Sequence, residues 1–274
     1  MAKVDVRLLE HGQIIDNVEV GYLTHVGKRR EHNEDNYYVF DAEGCDSGER
    51  GMLFAVADGM GGHAAGETAS RIAVETLRDY YIQAFDGSFR DKLEKCIEQA
   101  NTRIFSQAQT SPALKGMGTT LTVALLHAST VNIGQIGDSR AYLIRGKTIT
   151  QLTDDHSLVA EQIRQGILTE EEAANHPARN IITRALGTKE RVEADFSTCM
   201  LEPDDRVLMC SDGLHGVLPN DEILRIVLAA SDSPGACQRL IDRANEGGGP
   251  DNITAVLFHM RPIRPFWKRL LFWR

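Results

Sequence analysis

Met52-Leu-Phe-Ala-Val-Ala57 is an apolar run that ends at Asp58-Gly59, and the two segments that follow it are helical in period. A short run rich in apolar residues and bounded by Gly and Asp reads as a strand. In the next segment Ala65, Ala69, Ile72, Ala73, Leu77 and Tyr80 recur mostly at steps of three and four. In the one after, Phe89, Leu93, Ile97, Ala100, Ile104 and Ala108 do the same, so each presents one apolar helical face. Strands then return at 119–126, 131–136 and 139–152, the last folding back at Arg145-Gly146-Lys147. The run 119–126 is apolar on both faces and is expected to be covered on both sides. Upstream, residues 18–23 and 36–40 also read as strands. Downstream come a strand at 206–210, helices at 221–230 and 234–245, and a strand at 253–259. Strands, two helices, strands, two helices and a strand do not follow the βαβ alternation of a parallel sheet. The expected class is α+β, with antiparallel sheets covered by helices.

At 274 residues, with 42% hydrophobic and 25% charged residues, the composition is that of a globular chain with no repeat or low-complexity divide. The formal charge of −9 argues against nucleic acid as a partner, because a phosphate backbone requires a basic footprint. Five cysteines without a C-x-x-C pair suggest neither a disulfide framework nor a zinc ribbon. The N-terminal stretch lacks the apolar core of a secretory signal, and no run of 18 apolar residues could span a membrane. A cytoplasmic location is expected.

The chemistry lies where strands meet acids. Asp58-Gly59 and Asp212-Gly213 each follow an apolar run, Asp138 follows 131–136, Asp251 precedes 253–259, and Glu34-Asp35 precede Asn36. Rigid strand ends can bring acids that are distant in sequence to one point. Converging carboxylates repel one another, and a hard divalent cation such as Mg²⁺ or Mn²⁺ removes that repulsion. A single Asp-Gly pair is ordinarily a turn. Five acidic positions of this kind leave both a turn and a metal site open.

The strings themselves go further. Gly27-Lys-Arg-Arg30-Glu-His-Asn33-Glu34-Asp35, Asp58-Gly59-Met60-Gly61-Gly62-His63, Gly116-Met-Gly118-Thr119-Thr120, Gly137-Asp138-Ser139-Arg140, Ser211-Asp212-Gly213-Leu214 and Pro250-Asp251-Asn252-Ile253-Thr254 resemble the bacterial PP2C-like, metal-dependent (PPM-type) protein phosphatases. All six occur in the family's order over about 21–259. The resemblance implies two stacked antiparallel sheets flanked by helix pairs, an α/β/β/α sandwich. It implies a phosphatase domain at 13–260 with a flap at about 154–186, and a basic aromatic tail at 261–274. It also implies site roles. Asp58 would bridge two central Mn²⁺ or Mg²⁺ ions, with Glu34 and the Gly59 carbonyl on one and Asp212 and Asp251 on the other. Asp35 would bind directly or through water, and Asp138 would join Asp212 on a third ion.

The implied reaction is hydrolysis of phosphoserine and phosphothreonine by direct attack of a water shared between two metals, with no covalent enzyme intermediate. Arg30 is the candidate for gripping the substrate phosphate through its guanidinium fork, and Arg29 the alternative. His63 is a candidate general acid, or else a helix-start hydrogen-bonding group. His156, in Thr153-Asp-Asp-His156-Ser157, matches a recurrent string of the family and is read as anchoring the following helix rather than as catalytic. The implied partners are phosphorylated proteins and an opposing Ser/Thr kinase. A catalytically silent phosphoprotein-binding member would be marked by loss of these acids, and a nuclease by a basic groove.

Residues 261–274 contain five basic residues, no acid and both tryptophans, Trp267 and Trp273. That composition suits peripheral contact with the inner face of a membrane, docking on the acidic body, or a protein partner.

Overall fold

The computed structural model describes residues 6–9, 12–15, 17–39, 50–62, 64–83, 87–174 and 176–262. Thirteen strands among them form two antiparallel sheets. The seven-stranded sheet runs β1 (Val6–Leu9), β2 (Gly12–Ile15), β3 (Val18–His25), β13 (Ile253–Met260), β12 (Arg206–Cys210), β9 (Arg140–Arg145) and β10 (Thr148–Gln151). The six-stranded sheet runs β11 (Asp195–Met200), β8 (Thr130–Ile136), β7 (Leu121–His127), β5 (Met52–Met60) and β4 (Asp35–Val39), with β6 (Gly118–Thr119) paired to the end of β5. Residue 13, where the sequence reading begins the phosphatase domain, falls inside β2.

Helices α1 (Ala64–Tyr81) and α2 (Phe89–Ala108) cover the six-stranded sheet. Helices α6 (Asn220–Ala229) and α7 (Ser233–Glu246) cover the seven-stranded one. The order of layers is thus helix pair, sheet, sheet, helix pair. Two-residue alternation along the strands divides the core. In β12, Val207 and Met209 enter the core between the sheets, whereas Leu208 and Cys210 pack beneath α6 and α7. In β13, Val256 and Phe258 face inward and Ala255 and Leu257 face those helices. Both faces of the sheet are therefore apolar, which is why these strands read as nearly continuous hydrophobic runs.

Local signals account for the boundaries. Ser88 caps α2, accepting from Asp91 N–H, while the Asp91 carboxylate accepts from Ser88 N–H. Thr169 and Glu172 make the same reciprocal pair at the start of α4 (Glu170–Ala174), which follows α3 (Leu158–Arg164). Gly146 takes φ +58 in the β9–β10 turn. No helix among the described residues is long and apolar enough to cross a membrane.

Candidate metal centre

One end of the sandwich gathers the acids. The N-terminal end of β4 supplies Asp35 and the C-terminal end of β5 supplies Asp58 and Gly59. Asp138 lies in the turn from β8 to β9, which crosses from one sheet to the other. Asp212 opens the short helix α5 (Asp212–His215) directly after β12, and Asp251 lies two residues before β13. Both sheets therefore contribute carboxylates to the same pole.

Asp58 lies inside β5 rather than beyond it, because β5 continues to Met60. There it stands in register with Asp35 of β4. Like charges directly opposite in an antiparallel pair destabilise a sheet, so this register requires compensation. Part of it comes from hydroxyls, since Ser211 Oγ and Thr254 Oγ1 each donate to Asp35 Oδ2 at 2.7 Å. Thr120 fixes the backbone of Asp58 from both sides. Its N–H donates to Asp58 O at 2.9 Å, and its Oγ1 accepts from Asp58 N–H at 2.9 Å. Between β6 and β7 the Thr120 hydroxyl thus stands in for its carbonyl in the pairing with Asp58.

Glu34 is seated by backbone and glycine. Asn252 Oδ1 accepts from Glu34 N–H at 2.8 Å, and Ser70 Oγ donates to Glu34 O at 2.5 Å. A Cβ on Gly66 would collide with Glu34 Oε2, and one on Gly59 with Gly66 O, so the start of α1 lies close against both. The Asp138 turn is clamped by Gln135, whose Nε2 donates to Gly137 O at 2.9 Å and Ser139 O at 2.7 Å. His156 is buried against the same turn, its Nδ1 accepting from Gly137 N–H at 3.2 Å. That bond places the proton on Nε2, which donates to Asp195 Oδ2 at 3.0 Å. His156 thus braces the turn that carries Asp138.

Burial and mutual repulsion raise Asp35, Asp58, Asp138 and Asp212 above the ordinary carboxylate range. For Asp35, burial is the larger cause, followed by repulsion from Asp212 and Asp251, against the two hydroxyl bonds. Asp58 rises well above that range, through burial and then the charges of Asp35, Asp212, Asp138 and Asp251. Asp138 rises through burial and then Asp212. Asp212 rises through burial and then Asp251, with a hydrogen bond from Asp58 opposing the rise. One oxygen on each of Asp35, Asp138 and Asp212 is buried without a hydrogen-bond partner.

Buried anionic oxygens with raised proton affinity and no donor suit a hard divalent cation, which accepts such ligands at short range. As placed, no three His, Cys, Asp or Glu side chains among the described residues are gathered tightly enough to hold an ion between them. Asp251 instead accepts from Arg30 Nη2 through Oδ2 at 2.7 Å. The donor chemistry fits a metal, and holding one requires the carboxylates to draw together. Arg30, rather than its neighbour Arg29, reaches this cluster. His63 lies outside the described residues.

The family model described as Protein phosphatase 2C matches residues 27–244. The chain belongs to the protein phosphatase 2C family. The Serine/threonine phosphatase stp of Listeria welshimeri is 40% identical over 240 residues, spanning 86% of this chain and 93% of that protein. The crystal structure of the Mycobacterium tuberculosis serine/threonine phosphatase PstP/Ppp aligns with a TM-score of 0.80 at 36% identity, covering 89% of this chain and 99% of that one. The catalytic domain of PstP in complex with two manganese ions aligns with a TM-score of 0.78 at 34% identity, covering 89% of this chain and 99% of that one. This member of the family is a metal-dependent protein-serine/threonine phosphatase of the bacterial PPM type. Its two stacked sheets between helix pairs are the architecture that the sequence motifs imply.

Sequence reasoning did not find the hydroxyls and amides that hold the acids. Asn252 ties Glu34 N–H to Val26 O and His32 O, the latter two as donor at 2.9 Å each. Ser211 and Thr254 hold Asp35. All three lie inside or beside the motif strings, so adjacency to an acid at a strand end is the signal that would have found them.

Proposed function

We propose that Asp58, Gly59 through its carbonyl, Glu34, Asp212 and Asp251 hold two central Mn²⁺ or Mg²⁺ ions, and that Asp138 with Asp212 holds a third. Asp35 supports Asp58 from the facing strand and contributes directly or through water. When bound, the ions supply charge neutralisation and an activated water for attack on a phosphate monoester. The protein's own part is to orient and exclude. Strand ends from both sheets fix the carboxylates, and the hydroxyls of Ser211 and Thr254 fix Asp35.

Arg30 has two tasks in this reading. Its guanidinium lies on Asp251 at 2.7 Å and feels the charges of Glu34 and Asp58 as well. A planar fork so placed can release Asp251 and make two bonds to the oxygens of a phosphate monoester. His63 is the proposed proton donor to the departing serine or threonine oxygen. The substrates are phosphorylated proteins, and the reaction opposes a Ser/Thr kinase. The phosphatase domain is taken as 13–260, with its flap at about 154–186.

The observation that supports this reading most is the set of partnerless oxygens on mutually repelling buried acids. Titrating EDTA-treated protein with Mn²⁺ tests it without reference to turnover. At a free Mn²⁺ concentration of 100 times the dissociation constant, stability rises by about 2.7 kcal/mol, which lifts the melting midpoint by roughly 5–10 °C. A midpoint that Mn²⁺ and Mg²⁺ both leave unchanged rules the metal centre out.

The finer location rests on composition. Five cations, four aromatic rings and no acid in residues 261–274 suit an anionic membrane surface, with residues 263–274 outside the described structure. Replacing Trp267 and Trp273 by Ala in the full chain should reduce sedimentation with phosphatidylglycerol vesicles several-fold. Equal sedimentation of both forms removes the membrane from the proposal.

A further inference from the structure

The turn that carries Arg30 also carries Lys28 and Arg29, and both are exposed. Its seat is rigid. Gly27 takes φ +81, and a Cβ there would collide with Asp251 O. Gly27 N–H donates to His25 Nδ1 at 2.9 Å, and Lys28 N–H donates to Gly249 O at 2.8 Å. Asn252, the neighbour of Asp251, donates to Val26 O and His32 O at the two ends of the turn. The backbone at Lys28 and Arg29 is thereby fixed relative to the acid cluster.

Several exposed arginines elsewhere lie on carboxylates, such as Arg71 on Glu75, Arg78 on Asp79, Arg225 on Glu222 and Arg243 on Glu222. Among the described residues neither Lys28 nor Arg29 makes an ion pair, in a chain with 39 acidic and 30 basic residues. Arg30 is engaged by Asp251, and exposed Glu31 follows it. The turn that places Arg30 on Asp251 thus also carries two exposed cations without an ion pair.

We propose that Lys28 and Arg29 are specificity-determining residues that favour phosphopeptides with a second anionic group one or two residues from the phosphorylated side chain. This rests on the reading of Arg30 as the residue that meets the substrate phosphate. Successive Cα atoms are about 3.8 Å apart, so Arg29 and Lys28 lie within about 8 Å of Arg30 along the chain, the reach of one or two residues of a bound peptide. The anion's source is a carboxylate or another phosphate, and the guanidinium of Arg29 can serve either through charge-assisted hydrogen bonds. Both side chains are exposed, so the gain is modest and screened by salt.

The test uses the full chain with Mn²⁺ and phosphothreonine peptides of equal length, flanked by alanine, by glutamate, or by a second phosphothreonine. Wild type should favour the glutamate-flanked over the alanine-flanked peptide in kcat/KM by about fivefold at low salt, shrinking toward parity near 0.5 M salt. Lys28→Ala combined with Arg29→Ala should bring that ratio close to one. The doubly phosphorylated peptide shows whether phosphate is preferred to carboxylate. A wild-type ratio of one, or a preference that survives the double substitution, overturns the proposal while leaving the phosphatase intact. Hydrolysis of none of the peptides overturns the site reading beneath it.

Discussion

Asp58→Asn lowers kcat/KM on a phosphothreonine peptide by at least about 10³-fold, equivalent to about 4 kcal/mol of lost transition-state stabilisation. Burial and then the charges of Asp35, Asp212, Asp138 and Asp251 all raise the proton affinity of Asp58, so it stands among the other acids of the cluster. An amide of the same shape keeps the backbone bonds to Thr120 but removes the negative charge on which two ions would depend. Stability should move the other way. Acids whose folded-state pKa is raised bind more protons folded than unfolded, so the metal-free chain loses stability as pH rises through the raised values. The Asn variant contributes no such loss. In EDTA at pH 8 it should melt at or above wild type, and Mn²⁺ should lift its midpoint far less. Peptide hydrolysis and thermal melting on the same samples check both halves. Activity within tenfold of wild type would contradict the assignment of Asp58, and a lower midpoint in EDTA would contradict the repulsion argument.

What could be read from the sequence followed the strength of the local signal. Strands β3, β5, β12 and β13 and helices α1, α2, α6 and α7 carry long apolar runs or sustained helical period, and these are the elements that build the four layers. Strand β11 has the sequence Asp-Phe-Ser-Thr-Cys-Met and lies at the sheet edge, half exposed, so no apolar alternation announces it. The β1–β2 hairpin is only four residues a side, and α5 is a single turn, both too short for periodicity. Residues 119–126 read as one strand because apolarity is continuous there. The break falls at Thr120, whose hydroxyl accepts from Asp58, a partner 62 residues away.

The site divides along the same line. Acids at strand ends are visible because glycine and an apolar run adjoin them. The groups that make them tolerable are set by tertiary contact, as with Ser211 and Asp35, 176 residues apart. The pairing of Arg30 with Asp251 spans 221 residues and likewise has no local signature.

Phe54→Ala is expected to be the costliest single change to the fold. Phe54 of β5 and Phe258 of β13 come from different sheets, and both rings are fully buried. They stack with centroids 4.5 Å apart and planes 14° from parallel, joining the two layers directly. Removing a buried phenyl leaves a cavity that two packed sheets cannot collapse around, at a cost of about 3–5 kcal/mol. The melting midpoint should fall by roughly 6–20 °C. Phe54→Leu keeps most of the volume and should cost about 1.5 kcal/mol or less. Phe54, Val56 and Asp58 alternate along β5, so the same face that forms the core between the sheets ends in the acid cluster. The cluster is the polar end of that core, and the stacked rings lie four residues below it. Loosening them should therefore lower stability far more than chemistry. Denaturant melts give the first quantity, and activity at 10 °C, where the variant remains folded, gives the second. Loss of activity out of proportion to the folded fraction would mean that the inter-sheet core also sets the positions of the carboxylates.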